Sequence, residues 1–513
     1  MRFALWMMHS LTLRVLEDVL NTFLEPITQP QTGPRQNRSP TFLYSSFMSP
    51  PLSLSLYNTL SRAVEPLLPR VEGEISMYVC GVTPYDKLHI GHARAFLTYD
   101  ALRRVLESRG LKVRHVQNVT DIDDKIINRA AELGQDPLQL AAGFHEESLR
   151  ELALLDILPA GEYPRVTTHI APILGMVEEL EARGFAYARE GDVFFDVSKD
   201  EDYGKLSGQR PEELRAGARI MPGETKDDPA DFALWKAAKP GEPSWPSPYG
   251  EGRPGWHIEC SAMALEILGE GFDIHGGARE LVFPHHENEI AQSESFLGDG
   301  HNFANVWWHC GELRVNGQKM GKSLGNFITL EDALKMAPKN VWRLLFLQTH
   351  PRSPLDVASK GNDDKVPNIE AKIEQFKSSW ARLFNALHGV QSQEPPTEGA
   401  RRFETQFNGA LDDDLNTPEA LAAVFDAVSE FNRGGDQTLG AAARRAMEVL
   451  GFSFQEEQSG DELTPQLLEL LIEVRQNARQ RRDFATGDTI RGRLTELGIA
   501  LEDGIEGTSW KRI

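Results

Sequence analysis

Ile75-Ser76-Met77-Tyr78-Val79, then a loop, then His89-Ile90-Gly91-His92, then Phe96, Tyr99, Leu102, Val105 and Leu106: this stretch decides the fold. The first five residues are a short β-prone run. Gly81 and Pro84 punctuate the loop behind it. The later apolar residues recur at about the helical period, and the pattern stops at Gly110. Val113–Val119 reads as a second strand. Strand, loop, helix and strand within about 45 residues form a βαβ unit, which requires a parallel sheet. Such sheets bind ligands beyond the carboxyl ends of their strands, so the loop from Cys80 to His92 is a candidate site. The expected fold class is α/β.

Outward from that unit, the chain has 513 residues, enough for several domains. Hydrophobic residues make up 40% and charged residues 25%, which excludes wholesale disorder and collagen-like repeats. The net charge of −22 excludes a generic polycation that coats nucleic acid, although a local basic face can still bind it. Three cysteines cannot make a disulfide framework, so a reducing, cytoplasmic setting is expected. No stretch approaches the roughly 18 apolar residues of a membrane span. Residues 1–50 read as a flexible N-terminal extension, since 26–55 are rich in Pro, Ser, Thr, Gln and Asn; Met48 is an alternative start of translation. Lys239–Pro254 reads as an irregular connection. The region after Leu330 is mostly helical, with Val341, Leu344, Leu345 and Leu347 as one apolar stripe and Asn416-Thr417-Pro418-Glu419 as a helix start. The last 50 residues read as two short helices and a tail.

Two motifs carry phosphate chemistry. His89-Ile90-Gly91-His92 opens a helix whose free N–H groups suit an anion; Gly91 lets a nucleotide approach the backbone, and two imidazoles one turn apart can donate to phosphate oxygens. A merely capping cluster is the bland alternative. Lys319-Met320-Gly321-Lys322-Ser323 places two lysines on a glycine-bearing loop that could neutralise a pyrophosphate leaving group; a solvated basic turn is the alternative. A third constellation is Cys80, Cys260, His285 and Glu289, with the last two at i and i+4 on one helix face. Two thiolates, an imidazole and a carboxylate make a reasonable Zn²⁺ set, against the alternative of small core cysteines and a wet helix.

The two nucleotide motifs together resemble the class I aminoacyl-tRNA synthetases, which implies a doubly wound, Rossmann-like catalytic domain. Gly321 stands where the usual pattern has Ser, so slower or looser loop closure is expected. Met77–Gly81, Thr120–Ile127, Arg253–Met263 and Phe283–Gln292 narrow this, because they resemble the cysteinyl-tRNA synthetase family from about Leu54 to the C-terminus. The resemblance implies activation of L-cysteine with ATP and transfer to the 3′ end of tRNA(Cys), by a monomer, with one zinc per chain and Mg²⁺ on the nucleotide. It implies zinc ligands Cys80, Cys260, His285 and Glu289. His286, about 100° away on a regular helix, is the less favoured neighbour. His89, His92, Lys319 and Lys322 become catalytic and, with Gly91, ATP-binding residues. Cys80, Thr120 and Trp256 contact substrate; Cys310 is a spare thiol.

In the same terms the catalytic domain spans 51–165 and 256–330, split by an insertion at 166–255. A stem-contact region at 331–388 follows, then a helical bundle at 400–455 and an anticodon-binding domain at 463–513. In that last domain Arg479, Asp488 and Asp503 match base-reading positions, beside a basic run of Arg475, Arg479, Arg481 and Arg482. Zinc would answer a selection problem. Packing separates cysteine from serine by about 1–3 kcal/mol, whereas accuracy of 10⁴–10⁵ needs about 5.5–7 kcal/mol. Two rivals are a cysteine ligase acting on an amino-sugar inositol and a non-catalytic tRNA- or zinc-binding paralogue.

Overall fold

The computed structural model describes residues 53–210, 225–320, 326–360, 367–455, 463–481, 483–496, 499–504 and 507–512. The N-terminal extension, Met48, Gly321, Lys322 and Arg482 lie outside the described residues.

The βαβ unit forms as its periodicity requires. Strand β1 (Glu74–Val79) leads through the Cys80–His89 loop into α1 (Ile90–Ser108), and β2 (Lys112–Gln117) returns parallel to β1. Phe96, Tyr99, Leu102, Val105 and Leu106 are all buried along one face of α1. Helices α2 (Asp124–Leu133), α3 (Pro137–Leu154) and α4 (Ile170–Ala182) follow.

The chain then leaves the core to build an antiparallel sheet, ordered Ala186–Arg189, Asp192–Phe195, Phe232–Ala237, Gly250–Pro254, Trp245–Ser247. The expected irregular connection at Lys239–Pro254 is therefore corrected: it supplies the last two strands. Pro246 is tolerated there because Trp245–Ser247 is an edge strand with no ladder on its far side. Gly252 is needed where the backbone crosses Trp235, since a Cβ would stand 2.2 Å from the indole nitrogen.

Helix α5 (Trp256–Leu268) re-enters the core and is followed by β3 (Phe272–Ala278), α6 (Glu287–Leu297) and β4 (Ala304–Cys310). The central sheet runs β4-β3-β1-β2, with every pairing parallel. The carboxyl ends of β1, β3 and β4 thus bring Cys80, Ala278 and Cys310 to one edge.

The helical second half packs on the same core. Helix Lys339–Leu347 buries its whole apolar stripe, and Arg343 within it pairs with Asp100 of α1 at 2.8 Å while donating to the carbonyls of Leu155 and Leu450. Asn416 caps helix Thr417–Gly434 through its side chain, as its sequence predicts. Buried Asp414 receives the Trp308 indole N–H at 3.0 Å and pairs with Arg352, tying the bundle to β4. At the C-terminus two helices, Leu463–Gln480 and Phe484–Glu496, precede a hairpin, Ile499–Gly504 with Gly507–Arg512, in place of the expected tail. Among the described residues no helix is long and apolar enough to cross a membrane.

Candidate metal centre and nucleotide site

The loop between β1 and α1 holds the first donor. The Cys80 N–H donates to the Gly276 carbonyl of the next strand, which fixes the thiol at the sheet edge. Cys260 projects from the second turn of α5, and His285 and Glu289 flank the start of α6. All four are buried, and their ligand atoms lie within 4.8 Å of one another. Cys80 Sγ is 3.8 Å from Cys260 Sγ and 3.7 Å from Glu289 Oε1, and His285 Nε2 is 2.9 Å from the same oxygen. These are distances at which two thiols, an imidazole and a carboxylate can share one ion. Four buried ligating side chains at this spacing fit a single metal ion.

Charge in the cluster follows from burial and proximity. Burial opposes ionisation of Cys260, but hydrogen bonds from Cys80 and His285 pull its thiol down to about 6. Burial and the neighbouring Cys260 push Cys80 well above the usual thiol range. Burial also works against Glu289, yet His275 and His285 hold its carboxyl well below the usual carboxylate range.

The sequence reading undervalued the neighbours of this set. His286 also points inward, its Nε2 3.2 Å from Cys80 Sγ, because the Val282–His286 turn is not a regular α-helix and Phe283 is extended. The 100° argument against it therefore fails, although His285 keeps its place in the cluster. His275 on β3 donates from Nδ1 to the Tyr78 carbonyl and sets Nε2 2.7 Å from Glu289 Oε2. His286 continues through His309 to Thr59 in contacts of 2.8 Å each. Cys80, His275, His286 and Glu289 form a second group of donors of the same tightness. The available signal was a histidine directly following large apolar residues in a buried strand, in Ile274-His275 and Trp307-Trp308-His309.

Above the cluster lies a cavity of about 670 Å³ lined by Cys80, Tyr85, His89, His92, Lys125, Trp256 and Lys319, among others. Cys80 alone of the four donors reaches it; the others lie beneath. Trp256 stacks on the His285 ring at 4.3 Å. Thr120 does not line the cavity. Its hydroxyl donates to buried Glu259 at 2.9 Å, directly beside Cys260. Cys310 does line it, with burial pushing its thiol up to about 12.

His89 caps α1. Its Nδ1 accepts from the N–H groups of Gly91 and His92, and His92 Nδ1 accepts the His89 N–H in return. The rings stack at 3.6 Å. Burial brings the His89 imidazole down to about 4 and His92 well below the usual range, so both are neutral. With Nδ1 accepting, each proton sits on Nε2, where it can donate to a phosphate oxygen. Gly91 is required here because a Cβ would meet the His89 ring at 2.9 Å.

Lys319 is presented by a tight hairpin, Leu313–Val315 with Gln318–Lys319. Its Asn316-Gly317 turn has positive φ at both residues, the type that suits an antiparallel pair. Its ammonium is exposed and stands 3.5 Å from Glu280.

Far from this cavity, Arg479 and Asp488 are exposed on adjacent helices, and the Arg479 stem crosses Gly487, where a Cβ would come within 3.1 Å. Asp503 sits in the hairpin opposite Thr508; its side chain lies outside the described part. Arg475 does not belong to an exposed basic run, since it is 1% exposed.

Comparison with known proteins agrees with this architecture. Residues 67–363 match the catalytic domain of the class I (C) tRNA synthetases, and residues 406–455 match the DALR domain. A cysteine–tRNA ligase of Thermococcus onnurineus is 46% identical over 478 residues, covering 90% of this chain and all of that protein. One from Alkalilimnicola ehrlichii is 47% identical over 475 residues with the same coverage. The fold also resembles a Mycobacterium tuberculosis methionyl-tRNA synthetase, with a TM-score of 0.52 at 15% identity, covering 74% of this chain and 89% of that one. Neither rival activity is favoured by these relatives. The chain belongs to the cysteine–tRNA ligase family of class I tRNA synthetases.

Proposed function

We propose that this protein activates L-cysteine with ATP and transfers it to the 3′ end of tRNA(Cys), working as a monomer with one resident zinc ion and with Mg²⁺ carried by the nucleotide. The observation that carries the reading is a buried cluster of two cysteines, a histidine and a glutamate directly beneath the cavity that the two nucleotide motifs border. Cys80, Cys260, His285 and Glu289 would hold the ion, which when bound supplies a soft Lewis acid that prefers a sulfur ligand to a hydroxyl.

The protein's own groups do the rest. The cysteine carboxylate attacks the α-phosphate, the bond to the β-phosphate breaks, and pyrophosphate leaves. No enzyme nucleophile takes part, so catalysis is positioning and charge neutralisation. His89 and His92 donate from Nε2 to phosphate oxygens. Lys319 exchanges Glu280 for the leaving group, with Lys322 of the same motif as its partner. Trp256 and Cys80 close the cavity floor around the amino acid and exclude water, and Thr120 positions the Cys260 turn through Glu259. A terminal ribose hydroxyl then attacks the acyl carbonyl and AMP departs. Arg479, Asp488 and Asp503 would read the anticodon.

The test is exchange of labelled pyrophosphate into ATP with cysteine or serine, followed by charging of purified tRNA(Cys) and zinc determination. Cysteine-dependent exchange, charging and one zinc per chain are expected. Exchange that serine supports equally, or full activity in metal-free protein, would overturn the reading.

A further inference from the structure

We propose that Lys125, over the ring of Tyr85, binds a phosphate of the terminal nucleotide of the incoming tRNA at the rim of the catalytic cavity. The inference rests on the tRNA-charging reading above and adds a residue to it.

Lys125 lies in the first turn of α2 and lines the cavity together with Tyr85, His92 and Trp256. Its side chain is exposed, and Nζ stands 5.7 Å from the Tyr85 ring centroid. The two acids next to it in sequence are engaged elsewhere. The Asp123 carboxylate caps the helix by accepting the backbone N–H of Lys125 at 2.9 Å. Asp124 pairs with Lys236 at 2.8 Å and with Arg253. The other lysines of the cavity are neutralised as well: Lys87 by Glu331 at 2.5 Å and Glu147 at 3.6 Å, and Lys319 by Glu280. Among the described residues, no carboxylate stands within 4.0 Å of the Lys125 ammonium.

Lys125 differs from Lys87 and Lys319, the other described lysines lining the cavity, each of which faces a carboxylate. Helix stability does not account for its position either, because a cation in the first turn faces the positive end of the helix dipole. An ammonium held over an aromatic ring at a cavity mouth, with no carboxylate partner among the described residues, suits an anion that arrives with the substrate.

A phosphate could come from ATP or from nucleic acid. The triphosphate has its donors in His89 and His92 at the start of α1 and in Lys319 on the facing hairpin. Lys125 is exposed at the Tyr85 side of the cavity, with its ammonium over a ring that a base or ribose could lie against as the polynucleotide end enters. Lysine suits this task as a point charge, and it confers affinity without base specificity.

The test uses the full-length zinc-loaded enzyme with Lys125→Met and Lys125→Arg. Pyrophosphate exchange reports the ATP step. Single-turnover transfer from the enzyme-bound adenylate, over a range of tRNA and salt concentrations, reports the other. For Lys125→Met the tRNA concentration at half-maximal transfer should rise about tenfold, at least fivefold more than any loss in exchange. The slope of log affinity against log salt should flatten by about 0.7–0.9, the value of one phosphate contact. Arginine should restore most of the affinity. Transfer and exchange falling together would assign Lys125 to the triphosphate and overturn the proposal, as would unaltered transfer with an unaltered salt slope. Failure of the unmodified enzyme to charge tRNA would instead overturn the reading beneath it.

Discussion

Glu151→Gln should make this protein more stable at pH 8 and leave it almost unchanged at pH 5. Glu151 lies on α3 with its side chain 7% exposed and one carboxylate oxygen without a hydrogen-bond partner. Burial, reinforced by the charge of Glu147 one turn away, pushes its carboxyl from the usual 4.5 up to about 7, against the pull of Lys87 and the Leu88 N–H. The sign follows from linkage. The folded protein holds this proton more tightly than the unfolded chain, so the contribution is complete below about 4.5 and is lost as pH rises through 7. A difference of about 2.5 pH units corresponds to at most about 3.4 kcal/mol at 1.36 kcal/mol per unit. Access of water at the edge of the site should reduce this to about 1–2 kcal/mol. Glutamine keeps the shape, the acceptor for Leu88 and the neutral charge. Urea unfolding of both proteins at pH 5 and pH 8 measures the difference of differences. An equal effect at both pH values, or a variant less stable at pH 8, would refute the reasoning.

Cys260→Ala should cost at least about 10–100-fold in zinc affinity, as measured by competition with a chromophoric chelator, because it removes the more readily ionised of the two thiols in the cluster. The same variant should lose discrimination between cysteine and serine in pyrophosphate exchange. Arg343→Met should destabilise the fold by about 1–3 kcal/mol in equilibrium unfolding, since it removes one of the two arginines paired with buried Asp100, leaving Arg104 at 2.9 Å, and frees two buried carbonyls. Arg479→Ala should weaken tRNA binding by about 1–3 kcal/mol and change exchange kinetics far less, a split between KM for tRNA and the activation step that steady-state charging resolves.

Much of this protein was legible along the chain. The switch from strand to helix periodicity between Ile75 and Leu106 predicts the parallel unit because burial on one face leaves a local trace in residue order. Asn416 and Pro418 announce a helix start for the same local reason. The nucleotide loops were also readable, as glycine, histidine and lysine at fixed short spacing. The Trp245–Ser247 and Gly250–Pro254 strands were not, because their Pro, Gly and Trp content signals turns, and only the neighbouring strand Phe232–Ala237 makes a ladder there favourable. The metal cluster divides in the same way. Its four donor types could be named from the sequence, but Cys80 and Cys260 are 180 residues apart and meet at 3.8 Å only because a sheet edge and two helix starts converge. His275 and His309 escaped notice, and His286 was set below His285, because a buried polar group is intelligible only through its partners, and those come from distant segments. Residue order therefore determined which groups could do chemistry. Tertiary structure decided which of them lie in the same dry place, where short distance and missing water set their charges.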